Sequence, residues 1–440
     1  MIRGHFTRLR VLLFAVLILV AGSLWQASPT SAGIAFVVDS LGDEGDARRD
    51  GVCRTAEGAC TLRAASEEIA KGDPTERYVI TFSVQGTIED DGQIKLTNTD
   101  LIGPGTGNLS IKAALDFKAT ECTPAKISRV RLVFLSIENA VTAACHDESE
   151  PHLILDDIIV DGALTRENST VFLRSGNLLV RKSTIQRTTA GGISVSSGRL
   201  VVEDTTFSEN EHYSVGGEGD ITLLRVKVSN NHVFDVGPVT TMGKLTIRDS
   251  VFSENSGILT GSIYSCGDAI IDSTEMSGNE VGGEGGIVVN HGRMTITDSR
   301  INDNTMGSGA GTVVNLAGDE LDLGCTASEL TIRSSRIDGN SADGEAAIYN
   351  QAGVVELEKT TLNNPGTNCL GEISSKGGNK STDDSCNFTG RGDVENWDPN
   401  SESGGSAIQA FIVIGGALVL GGVLTAALLA RIRLRRRTAR

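Results

Sequence analysis

The chain has 440 residues and a formal net charge of −17, with aromatics at only 4% and 52 glycines. Subtracting the nine arginines of its two ends from 39 basic residues leaves 30 against 56 acidic ones between them, a net of −26. That acidity excludes a nucleic-acid partner, whose phosphates it would repel. The scarcity of Trp and Tyr argues against a sandwich with an aromatic core.

The first segment is an address. Arg3, Arg8 and Arg10 precede an apolar run over 11–21, and small residues follow at Thr30, Ser31 and Ala32. This is the layout of a secretory signal over residues 1–32, so the mature chain is expected to begin near Gly33. A strand over 34–40 runs into a loop with Asp39, Asp43, Asp46 and Asp50. These four acids are the candidate ligands for calcium, the one cofactor the composition suggests, because calcium takes six to eight oxygens. Cys53 and Cys60 then flank a glycine-containing turn, and export places them in an oxidising compartment where they can pair. Leu62, Ala65 and Ile69 recur at helical spacing, which predicts a helix over 61–71.

The stretch Cys60-Thr61-Leu62-Arg63-Ala64-Ala65-Ser66 resembles the naming motif of the CSLREAI (CSLREA) domain, with Ala64 in place of its Glu and Ser66 in place of its Ile. Residues 78–111, with Ile80-Thr81-Phe82 and Leu101-Ile102-Gly103-Pro104-Gly105, resemble the segment that follows it in that family. So does the exit at Asn368-Cys369-Leu370-Gly371 and Ser385-Cys386-Asn387-Phe388. The resemblance implies an exported surface protein in which the module precedes right-handed parallel β-helix repeats. It implies no reaction, because the family carries no single defined one.

Between 92 and 162 the pattern is less regular. Within it Cys122 and Cys145 bracket Val130–Ile137 and could staple a long loop. His146 and His152, beside Asp147, Glu148 and Glu150, read as an exposed charged loop, since no metal-ligand spacing such as His-x-x-x-His is present.

From 176 to 362 the chain repeats. Aligned on Gly176, Gly198, Gly219, Gly243, Gly267, Gly292, Ser328 and Gly353, offset two is apolar in every copy (Leu178, Leu200, Ile221, Leu245, Ala269, Met294, Leu330, Val355). Offset four and offset nine are apolar as well, and offset twelve is Asn in six successive copies, from Asn210 through Asn231, Asn255, Asn279 and Asn304 to Asn340. A period in this range marks a solenoid, and offsets two and four share a strand face because side chains alternate. The pattern predicts a short strand, a turn marked by the Asn and a second strand in each coil. The fold class is therefore all-β, a pectate-lyase-like right-handed parallel β-helix with an N-terminal capping helix and one C-terminal transmembrane helix. Coils stacked at strand spacing would let the asparagines bond one another in a ladder.

At offset six the row Asp204, Arg225, Asp249 is the candidate binding site, since rows of Asp and Arg on such helices suit acidic sugars, although alternating charges one coil apart also stabilise themselves. His212 and His232 fall on adjacent coils. Cys266 and Cys325 lie two coils apart in register, about 9.6 Å by strand spacing, beyond the roughly 7 Å limit for a disulfide unless the insert at 317–328 folds back. Cys369 and Cys386 are placed to close the last coil. Arg391-Gly392-Asp393 spells an adhesion tripeptide, a signal of only three residues.

The end is a second address. Residues 411–430 carry no charge, and Arg431, Arg433, Arg435, Arg436 and Arg437 follow at once. That is long enough to cross about 30 Å of hydrocarbon, with the basic tail on the cytoplasmic side. The expected organisation is a signal at 1–32, the cap and lead-in at 33–105, the β-helix at 106–390, a linker at 391–409, a membrane helix at 410–430 and a tail at 431–440. The function that follows is adhesion or glycan binding at a cell surface, non-enzymatic. The alternatives are a membrane-tethered polysaccharide lyase or glycoside hydrolase, which needs a convergent acid–base site, and an inert surface-coat spacer.

Overall fold

The computed structural model describes residues 33–119, 124–138, 151–162, 170–234, 236–283, 285–307, 311–316, 325, 328–342 and 346–401. The signal segment, Cys122, Cys145, His146, most of the 317–328 insert and the apolar stretch 410–430 lie outside the described residues. No helix among the described residues is long and apolar enough to cross a membrane. The fold is an all-β, right-handed parallel β-helix of about 10 turns, and the chain divides into two compact units, 1–165 with 170–184 and 166–169 with 185–440.

In the first unit, strands Ile34–Val38, Tyr78–Phe82, Thr99–Ile102, Ala125–Ser128, Leu153–Asp156 and Asn177–Arg181 share one sheet. Their register stacks Phe36, Ile80, Leu101, Ile127, Leu155 and Val180 in one inward column, and all six are buried. The one helix described here is Leu62–Lys71. Thr61 caps it by accepting the Ala64 N–H on Oγ1, and Gly72 ends it. This is the expected Ser/Thr start and Gly stop. Its apolar stripe Leu62, Ala65 and Ile69 is buried, and the helix packs on strands Gly86–Thr97 and Ile34–Val38. Arg63 leaves the helix to meet the buried carboxylate of Asp90. His152 corrects the expected exposed loop: it is only 7% exposed, because its ring turns inward and Nδ1 accepts the Asn177 N–H at 3.0 Å.

In the second unit the sequence repeat becomes register. Leu200, Ile221, Leu245, Ala269, Met294, Leu330 and Val355 stack as neighbours, and so do Val202, Leu223, Ile247, Ile271, Ile296, Ile332 and Leu357. Phe207, Val228, Phe252, Met276, Ile301, Ile337 and Leu362 form the offset-nine column on a second sheet. The expectation of two strands per coil falls short. A third sheet follows the asparagines, with strands such as His232–Val233 and Ser256–Gly257, and a further strand such as Thr260–Ser265 completes the coil. The variable loop before that last strand hides its repeat from any alignment on the first.

Two residues per coil make the corners. At offset six Asp204, Arg225, Asp249, Ser273, Asp298, Ser334 and Lys359 all have φ between 47° and 52°, and at offset eleven Glu209, Asn230, Glu254, Gly278, Asp303 and Gly339 repeat that left-handed conformation. Each αL residue turns the chain and aims its N–H at the next coil, as Asp204 does to Leu224 O at 3.1 Å and Arg225 to Arg248 O at 3.0 Å.

The asparagines at offset twelve are buried and bonded. Nδ2 of each donates to Oδ1 of the next, at 2.9, 2.8, 2.8, 2.9 and 2.8 Å from Asn210 to Asn340. The ladder runs one step further than the sequence pattern, to Asn364 at 3.0 Å, which sits at offset eleven in a coil one residue shorter. It then reaches Asn368, whose Nδ2 donates to Asp383. A second ladder, Asn290 to Asn315 to Asn350 at 2.8 and 2.9 Å, runs at the end of the last strand of each coil. The sequence pattern missed it. Its signal was the repeated Val-Val-Asn of 288–290 and 313–315, outside the aligned frame.

Candidate functional site

The row Asp204, Arg225, Asp249 occupies the αL corner between two strands. Asp and Ser tolerate that conformation better than most side chains because they can bond locally, so the turn accounts for most of the row before any ligand does. Asp204 and Arg225 are brought together. The guanidinium donates from Nε at 2.7 Å and Nη2 at 2.9 Å to the two carboxylate oxygens, a fork-to-fork pair. Both side chains remain about half exposed, 51% for Arg225 and 44% for Asp204. The hydrogen bond to Asp204 holds the Arg225 guanidinium further above its usual range. Asp249 repeats the corner one coil on, and its N–H goes to Asp272 O.

The two histidines singled out by sequence sit beside one another's coils in a different setting. In strand His232–Val233, Val233 is buried while His232 is exposed, and side-chain alternation turns Phe234 to the same outer face. Phe234 is 61% exposed. The His212 ring from the preceding coil stands edge-on to it, with centroids 6.5 Å apart. His232 Nδ1 shares a hydrogen bond of 2.5 Å with Ser256 Oγ of the following coil. The outer face thus carries an exposed aromatic ring in contact with one imidazole, and a bonded imidazole–hydroxyl pair beginning two residues before the ring. Phe234 was not singled out from the sequence, since its outward direction depends on the third sheet that the pattern did not reveal.

The N-terminal acids serve the loop that carries them. Asp39 Oδ1 accepts the Cys60 N–H at 2.7 Å. Asp46 takes the N–H of Arg48 on one oxygen and of Arg54 on the other, and Asp50 takes that of Val52. Asp43 contributes its backbone carbonyl to Arg63 Nε at 2.9 Å. Among the described residues no group of three or more His, Cys, Asp or Glu side chains is arranged to hold a metal ion.

Three disulfides are formed among the described residues. Cys53–Cys60 closes the loop before the helix and Cys369–Cys386 the last coil. Cys266 and Cys325 are bonded with Cα atoms 5.3 Å apart, so the separation of two coils does not hold for them and the chain at Cys325 comes back to Cys266. That return accompanies a buried cluster on the outward side of the last strands, Tyr264, Val289 and Val314, with Met242, Cys266 and Tyr349 packed against it. The adhesion tripeptide is structural: Asp393 takes the Asn379 N–H on one oxygen and the Ser375 hydroxyl on the other.

Residues 169–323 match the family model of a right-handed beta helix region. No curated protein matches the sequence. Among solved structures, the catalytic unit of a thermostable GH87 alpha-1,3-glucanase from Streptomyces thermodiastaticus strain HF3-3 aligns over 85% of this chain and 71% of its own, with a TM-score of 0.50 at 13% identity. A GH87 alpha-1,3-glucanase catalytic domain in complex with nigerose covers 84% and 70% at a TM-score of 0.49 and 12% identity. A mannuronic acid specific polysaccharide family 6 lyase from human gut microbiota covers 79% and 92% at 0.43 and 12%. What the chain shares with the Streptomyces catalytic unit is the β-helix fold alone.

Proposed function

We propose that this protein is exported, anchored by residues 410–430, and binds glycan on the outer surface of its β-helix without transforming it. The helix Leu62–Lys71 covers the apolar end of the solenoid, an end that any such repeat must protect. The observation that carries the binding reading is the exposed Phe234 ring with His212 edge-on to it, and the bonded His232–Ser256 pair on the same face two residues before it. A sugar presents an apolar C–H face that packs on an aromatic ring and hydroxyls that need a few placed polar partners. Binding is favoured over catalysis because Asp204 in the charged row is already held fork-to-fork by Arg225 at a half-exposed turn, so it is not free to serve as one of the two carboxylates that glycoside cleavage uses.

The test is a glycan array probed with the full chain in detergent, with and without calcium, beside a Phe234→Ala variant. Retention of a defined glycan class that Phe234→Ala weakens at least tenfold supports the reading. Retention unchanged by that substitution overturns the site, and no retention at all leaves the spacer role in its place. New ultraviolet absorbance from unsaturated uronides overturns the non-enzymatic part.

A further inference from the structure

A second site lies in the first unit, in the loop before the helix Leu62–Lys71, and does not depend on the glycan reading above. Arg48 and Arg54, with Ala47, Asp50, Val52 and Ala56, line a cavity of about 330 Å³, within the range of small-ligand pockets. The loop around it is built rather than loose. Ala47 N–H donates to Arg54 O at 2.8 Å and Thr55 N–H to Ala59 O at 2.7 Å. The Cys53–Cys60 bond ties its far side, and Glu68 reaches from the helix to accept the N–H groups of Asp50 and Gly51.

The charges in this loop are distributed unevenly. Its carboxylates are committed to backbone amides, Asp39 to Cys60, Asp46 to Arg48 and Arg54, and Glu68 to Asp50 and Gly51. Arg49 pairs with Glu67 at 3.7 Å. The guanidiniums of Arg48 and Arg54 are left with no carboxylate within 4.0 Å among the described residues, although acids outnumber bases in this chain 56 to 39. Two unpaired guanidiniums at one cavity offer ten donors in planar forks and no acceptor, the arrangement that recognises a carboxylate bidentately. Asp50 on the same wall can accept from hydroxyls, and Val52 supplies an apolar surface.

The geometry points to an anionic monosaccharide, a hexuronate or the end of a uronate-bearing glycan, held by its carboxylate between Arg48 and Arg54. Asp50, an exposed carboxylate on the same wall with one oxygen holding the Val52 N–H, can still accept from a hydroxyl on its other oxygen, and it disfavours a bare anion such as sulfate, which offers it no donor. Calorimetric titration of the full chain in detergent with sodium glucuronate, glucose and sodium sulfate tests this. Glucuronate is expected to bind at about millimolar Kd, at least tenfold tighter than glucose or sulfate. Arg48→Ala and Arg54→Ala should each weaken it about tenfold, while Arg49→Ala, whose guanidinium is paired elsewhere, should not. Arg54→Lys keeps the charge without the fork and should recover only part of the affinity, so it carries the test if the alanine variants fail to fold. Mapping of the Cys53–Cys60 bond checks the loop in each variant. Equal binding of glucose, equal binding of sulfate, or affinity unchanged in Arg48→Ala and Arg54→Ala overturns the assignment. Phe234→Ala must leave glucuronate affinity intact; a loss there would place the uronate at the other surface and overturn this one.

Discussion

Asn231 donates from Nδ2 to Oδ1 of Asn255 at 2.8 Å, while its own Oδ1 takes both the N–H and the Nδ2 of Asn210. Each amide in the column is therefore donor to one coil and acceptor from another, and aligned amide dipoles in a dry interior strengthen one another. Asn255 itself makes four side-chain bonds, to Val228 O and Asn279 and from two atoms of Asn231. Asn255→Ala takes the acceptor from the buried Asn231 N–H, while Asn231 Nδ2 keeps Phe207 O and Ser229 O and Asn279 Oδ1 keeps the Asn255 N–H, and is expected to cost about 1–3 kcal/mol. Asn255→Asp should cost more, since it sets a buried carboxylate oxygen against Val228 O and Asn279 Oδ1. Urea denaturation measures both, and a loss under about 1 kcal/mol would show that the ladder is dispensable.

The offset-six row separates two explanations of one sequence pattern. If the αL corner selects these residues, Asp249 with φ near 50° should tolerate Gly or Asn within about 0.5 kcal/mol, whereas Asp249→Val should lose about 1–2 kcal/mol through its Cβ. Arg225→Gln removes an exposed pair and should leave the melting temperature close to the parent's. Glycan retention on the array should survive Asp204→Asn and Arg225→Gln. Lost retention at unchanged melting temperature would return the row to the binding site.

Why so much of the solenoid was legible is visible in these columns. Leu200 to Val355 and Val202 to Leu357 face a continuous interior where every coil meets the same neighbours, so the requirement repeats and the sequence repeats with it. Asn364 escaped the pattern because its coil is one residue shorter, which moves the residue and not its partner. Phe234 escaped for a different reason: outward residues answer to no neighbour in the interior, so nothing periodic marks them. The Cys266–Cys325 pair was legible only as a possibility, because a returning insert breaks the coil spacing on which the distance rests. His152 was read as exposed because its acidic neighbours in sequence gave no sign of the inward turn of its ring.

The disulfide between Cys266 and Cys325 spans 59 residues. Loop-closure entropy for that length corresponds to about 4 kcal/mol, and the bond also holds the chain beside the Tyr264–Val289–Val314 cluster. The double variant Cys266→Ser/Cys325→Ser should melt well below the oxidised parent, and reductant should lower the parent at least as far, since it also opens Cys53–Cys60 and Cys369–Cys386. A double variant that melts with the parent would mean that apolar packing alone keeps this segment in place.

His152 sets a pH limit on the first unit. Burial lowers its pKa below the ordinary histidine value of 6.5, and its Nδ1 must stay unprotonated to accept the Asn177 N–H. The unfolded chain takes up a proton as pH falls through the usual value, while the folded chain resists until the lowered one, so stability drains away across that interval as pH falls. The slope contributed by one such group reaches at most about 1.4 kcal/mol per pH unit. His152→Gln supplies an acceptor that does not titrate. It is expected to be somewhat less stable near pH 8, where the native ring fits its site, and to lose less stability than the parent between pH 6.5 and 5. Parallel denaturation curves for parent and variant across that range would remove His152 as the group responsible.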